Sequence, residues 1–71
     1  MTLTYNVHEY CFVQVVLYDM LGNSVRNVYS GYSNQGLKSL SLGTEALSNG
    51  HYVCRVRVGE NVAYINIVVS R

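Results

Sequence analysis

The most constraining feature of this chain is a hydrophobic period of two that runs through nearly every segment. Val13, Val15 and Leu17 alternate with Gln14, Val16 and Tyr18. Tyr52, Cys54, Val56 and Val58 alternate with His51, Val53, Arg55 and Arg57. In Leu37 to Leu42, Leu40 and Leu42 fall on one side, and Ala63 to Val69 is rich in β-branched residues. A helix cannot collect such a pattern on one face, whereas a strand does so automatically. Turn signals separate the runs: Leu21-Gly22-Asn23, Gly31 to Gly36, Gly43-Thr44, Ser48-Asn49-Gly50 and Gly59-Glu60-Asn61. Strands are therefore expected at about 2–7, 11–19, 24–30, 37–42, 50–58 and 62–70, with 44–48 as a single helical turn or a short crossover. Turns at this spacing predict an all-β chain, an antiparallel sandwich or barrel of six or seven strands.

With 71 residues there is material for one domain, and such a domain buries only about 60% of its unfolded surface. An active site with its supporting shell would be hard to fit. A chain this short is more often a module of a longer protein, so Met1 reads as an artificial start, with the natural chain continuing upstream of Thr2. The hydrophobic share of 49% excludes intrinsic disorder. Charged residues make up 13%, against about 25% in an average domain, and the net charge is +1. Five scattered Lys and Arg form no basic stripe, which argues against nucleic acid as a partner. No run is long enough to span a membrane, and no secretory leader pattern is present.

Catalysis finds little support. Glu9, Asp19, Glu45 and Glu60 are the only carboxylates, and none is paired at an acid–base spacing. There is no Gly-x-Ser-x-Gly elbow and no Gly-rich phosphate loop before a helix. No enzyme activity, cofactor or metal is expected. The spacing His8-x-x-Cys11 recurs as His51-x-x-Cys54, which offers two His and two Cys for zinc. Parity opposes it, because residues three apart on a strand face opposite ways. Both thiols should face the core and both imidazoles the solvent. Asp19, Gly22 and Asn23 read as a turn: an Asp carboxylate accepts from backbone N–H groups just ahead, and Gly tolerates positive φ. Gly50 reads as a strand-entry glycine, and Tyr52 as a buried ring whose hydroxyl finds a partner.

Two motifs then carry meaning together. They are Val13-Gln14-Val15-Val16-Leu17-Tyr18-Asp19-Met20-Leu21-Gly22-Asn23-Ser24-Val25 and Leu47-Ser48-Asn49-Gly50-His51-Tyr52-Val53-Cys54-Arg55-Val56. Followed by a final β-branched strand with a basic end, they resemble the type A C-terminal sorting domain of the type IX secretion system, found on many exported Bacteroidetes proteins. The likeness runs from about Leu3 to Arg71. It departs from the family at Asn66, which stands where a Lys usually precedes the β-branched run, and at the two Cys, which lie outside the usual pattern.

The resemblance implies a small immunoglobulin-like β-sandwich over 1–71 that directs an upstream passenger to the cell surface or medium. Its implied partners are the type IX translocon and a surface sortase-like peptidase that removes it after passage through the periplasm. It places the export information in the last strand: Ile65, Asn66, Ile67, Val68, Val69 and Arg71. It also puts Cys11 and Cys54 on strands corresponding to B and F of an immunoglobulin sandwich. That leaves two readings open, a Cys11–Cys54 disulfide or two buried thiols. Two other readings of the domain stay open beside the sorting role. Seven Tyr, with Tyr10 and Tyr18 outward by parity, suit a module that binds carbohydrate or protein. A terminal strand with no Pro and little charge suits a homodimer through an edge.

Overall fold

The computed structural model describes residues 2–43 and 47–70. Six strands follow in chain order: β1 (Thr2–Val7), β2 (Cys11–Asp19), β3 (Ser24–Ser33), β4 (Gly36–Ser41), β5 (Gly50–Val58) and β6 (Asn61–Val69). They form an antiparallel two-layer sandwich. One sheet pairs β1 with β4, and the other has the order β3-β2-β5-β6. The chain crosses between layers after β1, after β3 and after β4, so the small sheet is built from distant segments.

The alternation seen in the sequence becomes the core. Val7, Val13, Val15, Leu17 and Cys54 are wholly buried, joined by Leu42, Leu47, Tyr52, Val56, Ile67 and Val69. These side chains come from both sheets and meet in one cluster, with Leu3, Tyr5 and Leu40 completing the small-sheet side. Leu47 belongs to the segment expected as a helical turn or crossover; it reaches the core, while 44–46 lie outside the described residues.

β3 runs further than the expected 24–30. Gly31, Tyr32 and Ser33 stay paired with Val13, Phe12 and Cys11, because β2 still offers free backbone groups there. The turn to β4 shrinks to Asn34–Gln35. β3 also carries one extra residue at each of two register shifts, opposite Val15/Val16 and Leu17/Tyr18. The bulge at Val28 lets both Val28 and Tyr29 pack on the core. Between β5 and β6 a two-residue turn suffices. Gly59 has φ of +61°, which only its lack of a Cβ makes easy.

The disulfide reading is corrected here. Cys11 and Cys54 lie on neighbouring strands of the same sheet, not on opposite sheets. The register sets Cys54 opposite Leu17, six positions along β2 from Cys11. At about 3.4 Å per residue that is near 20 Å, whereas a bridge needs Cα atoms within about 7 Å. Both thiols are free, Cys54 fully buried and Cys11 half-buried beside Gly59.

Candidate functional site

Two local devices hold the ends of the large sheet. After β2, the Asp19 carboxylate caps a tight loop: Oδ1 accepts from Leu21 N–H at 3.0 Å and from Asn23 N–H at 2.9 Å. The backbone closes the same loop, Gly22 N–H donating to Asp19 O at 3.1 Å and Asp19 N–H to Asn23 O at 3.0 Å. Gly22 sits at φ +87° with open space where a Cβ would project, so backbone conformation, not crowding, calls for glycine. The second device opens β5. Tyr52 buries its ring, and its hydroxyl donates to Ser48 O at 2.6 Å. A tyrosine at a strand start bonding backbone four residues upstream ties the incoming crossover to the sheet. Gly50, at φ +153°, turns the chain into that strand.

Histidines and cysteines do not gather. His51 pairs with Val68 at the Gly50 end of β5, while Cys11 lies beside Gly59 at the other end. His8, Glu9, Cys11 and Glu60 line an open pocket near that turn. Among the described residues, however, no three His, Cys, Asp or Glu side chains come close enough to share a metal ion. Burial pushes the Cys54 thiol above its ordinary pKa of 9.0, which makes it a poor nucleophile. Burial also raises the Tyr5 phenol, helped by nearby Tyr29.

β6, the strand on which the export residues fall, is the edge of the large sheet, paired only with β5. Its first six residues are exposed, and only Ile67 and Val69 are buried. Asn66 and Val68 face outward, exposed. Ile65 has core-facing parity yet remains 37% exposed, outside the core cluster that Ile67 and Val69 join. Arg71 lies outside the described residues.

A family model, the secretion system C-terminal sorting domain, matches residues 1–70. The chain belongs to that family. Neither a curated protein nor a solved structure matches it. A sorting domain of type IX secretion is thus what the two motifs and the final strand spell out together, and the antiparallel sandwich agrees with the immunoglobulin-like expectation. Such a domain acts through an upstream passenger and the secretion machinery, toward the cell surface or medium. For this sorting domain the relevant sites are therefore surfaces, not clefts.

Sequence reasoning found only Tyr10 of the most distinctive of those surfaces. The outer face of the large sheet carries exposed Tyr10, Phe12, Tyr32, Val62, Tyr64 and Val68. Tyr10 and Tyr32 stack at 5.4 Å, and Phe12 meets Tyr32 edge-on at the same distance. Tyr18, read as outward together with Tyr10, is half-buried under the Arg55 guanidinium, 5.7 Å from its ring centroid. Parity already pointed Arg55 and Arg57 outward. Their aromatic neighbours became visible only with the register.

Proposed function

We propose that residues 1–71 form the C-terminal module of an exported protein and carry its passenger from the periplasm through the type IX system. The translocon recognises the folded domain together with its final segment, Ile65 to Arg71, and a surface sortase-like peptidase then removes it. The supporting observation is the family match over residues 1–70, a span that takes in both motifs and all of β6. The exposed position of Asn66 and Val68 on an edge strand supports it too, since these side chains are open to a receptor while Ile67 and Val69 anchor the strand. Neither Asp19, Gly22, Gly50 nor Tyr52 has a chemical task in this reading; they set the shape that is recognised. The domain itself catalyses nothing.

The experiment is a fusion of residues 2–71 to a fluorescent passenger in a type IX-competent host. Fluorescence at the surface or in the medium is the expected result. Retention of the intact fusion in the periplasm overturns the reading. The alternative, an immunoglobulin-like binding module, draws on the exposed Tyr10–Tyr32 stack. Specific glycan-array binding by a fusion that is not exported would favour it.

A further inference from the structure

The register of the large sheet brings its outward side chains into rows. One row reads Asn27, Val16, Arg55, Tyr64, and the next Ser30, Gln14, Arg57, Val62. Beyond them stand Phe12 and its partner Tyr32. Arg55 reaches Gln14 Oε1 with Nη2 at 3.4 Å and also lies over the Tyr18 ring. Gln14 and Tyr18 flank Val16 on β2, so the Arg55 side chain spans Val16, which explains why an outward valine is only 6% exposed. The guanidinium is thereby held between Gln14 and the Tyr18 ring, and its Nε, buried, meets no acceptor.

Charge on this face has one sign. Arg55 and Arg57 lie two residues apart on the same side of β5. Arg57 donates from Nε only to the Gly59 carbonyl, at 3.0 Å. Asp19 is committed to its own turn, while Glu9 and Glu60 lie in loops. Among the described residues, neither arginine bonds a carboxylate. The opposite outer face, on the small sheet, is built differently: Thr2, Thr4, Asn6, Ser39 and Ser41 are exposed, with Leu37 the one large apolar group.

We propose that the outer face of the large sheet is the docking surface of this sorting domain, and that its occupant is an acidic protein surface of the export machinery. The inference rests on the sorting reading and names the partner chemistry of that recognition. Charge complementarity carries it. Two arginines without carboxylates, one held in place by Tyr18 and Gln14, present guanidinium forks to incoming Asp or Glu. The surrounding Tyr32, Tyr64, Phe12, Val62 and Val68 exclude water around those pairs, and exposed valine suits another protein's apolar side chains. Tyr, Phe and Arg enriched, with Lys, Asp and Glu absent, is the composition of a protein-binding face.

The test uses the passenger fusion with Arg57→Glu, and separately with Arg55→Gln. Arg57 is exposed, so its reversal leaves the core untouched; Thr4→Glu on the other outer face is the charge control. Export of the unaltered fusion and of Thr4→Glu, with at least a tenfold loss for Arg57→Glu at unchanged melting temperature, is the expected result. Arg55→Gln should lose export in the same direction. If Arg57→Glu is exported like the unaltered fusion, the docking face is wrong and the sorting role stands. If the unaltered fusion itself stays in the periplasm, both fail. If export is unaffected but Arg57→Glu abolishes binding to polygalacturonate, the face reads an acidic glycan and the proposal is overturned.

Discussion

Ile65 and Ile67 are the same residue type, on the same strand, facing the same way, two positions apart. Ile67 is 3% exposed and Ile65 37%. Strand β5 beside them, equally regular, buries Tyr52, Cys54 and Val56 in succession. The difference lies in what covers each position. The last residues of β6, Ile67 and Val69, join the core cluster that Leu42 and Leu47 also enter, whereas Ile65 stays outside it. Alternation makes a position able to be buried; only the opposite layer buries it.

Four measurements break or sharpen that contrast. The largest effect belongs to Ile67→Ala, which leaves a cavity under full cover and should lower the unfolding free energy by about 3 kcal/mol in a denaturant titration. Next is Cys54→Ser, which places a hydroxyl without a partner in the core and should cost about 2 kcal/mol. Tyr52→Phe keeps the ring and removes only the bond to Ser48 O, so about 1 kcal/mol should go. Ile65→Ala should cost less than about 1 kcal/mol, since the side chain is partly exposed and lies outside the core cluster. Equal losses at Ile65 and Ile67 would show that something does cover the first half of β6.

Alkaline pH probes the same interior from another side. Burial raises the Cys54 pKa above 9.0, so the folded state holds its proton more tightly than the unfolded chain. Its contribution is complete below pH 9.0 and is lost as pH rises through the folded value. Stability should therefore fall above that pH, and Cys54→Ala should flatten the decline without abolishing it. The remainder belongs to Tyr5, likewise raised, from its ordinary 10.0. Thiol reagents should modify Cys11 well before Cys54.

Much of the fold was legible because it is local. Strand β5 is found where parity puts it, and β3 overran its expected end only because its partner had backbone groups left to pair. The Asp19 loop was readable for the same reason, since a short acceptor side chain and a glycine act within five residues. The Tyr52 hydroxyl found its partner four residues back. The cysteines were not readable in this way. Their inward parity was correct for Cys54 and half-realised for Cys11, but which sheet each strand joins is a long-range matter. The Arg55–Tyr18–Gln14 cluster escaped for the same reason, because its members are brought together by pairing across about 40 residues.

By itself, then, the sequence determined the place of the strands apart from the end of β3, the two capping turns, the inward and outward sides of β2 and β5 and, through its two motifs, the family. These follow from dihedral preference, period-two geometry and hydrogen bonds between near neighbours. Tertiary structure alone decided the division into two and four strands. That division separates the cysteines along one sheet and gathers the arginines with the aromatic rings. Burial and charge clustering depend on what lies opposite or alongside in space, and chain order does not carry that information.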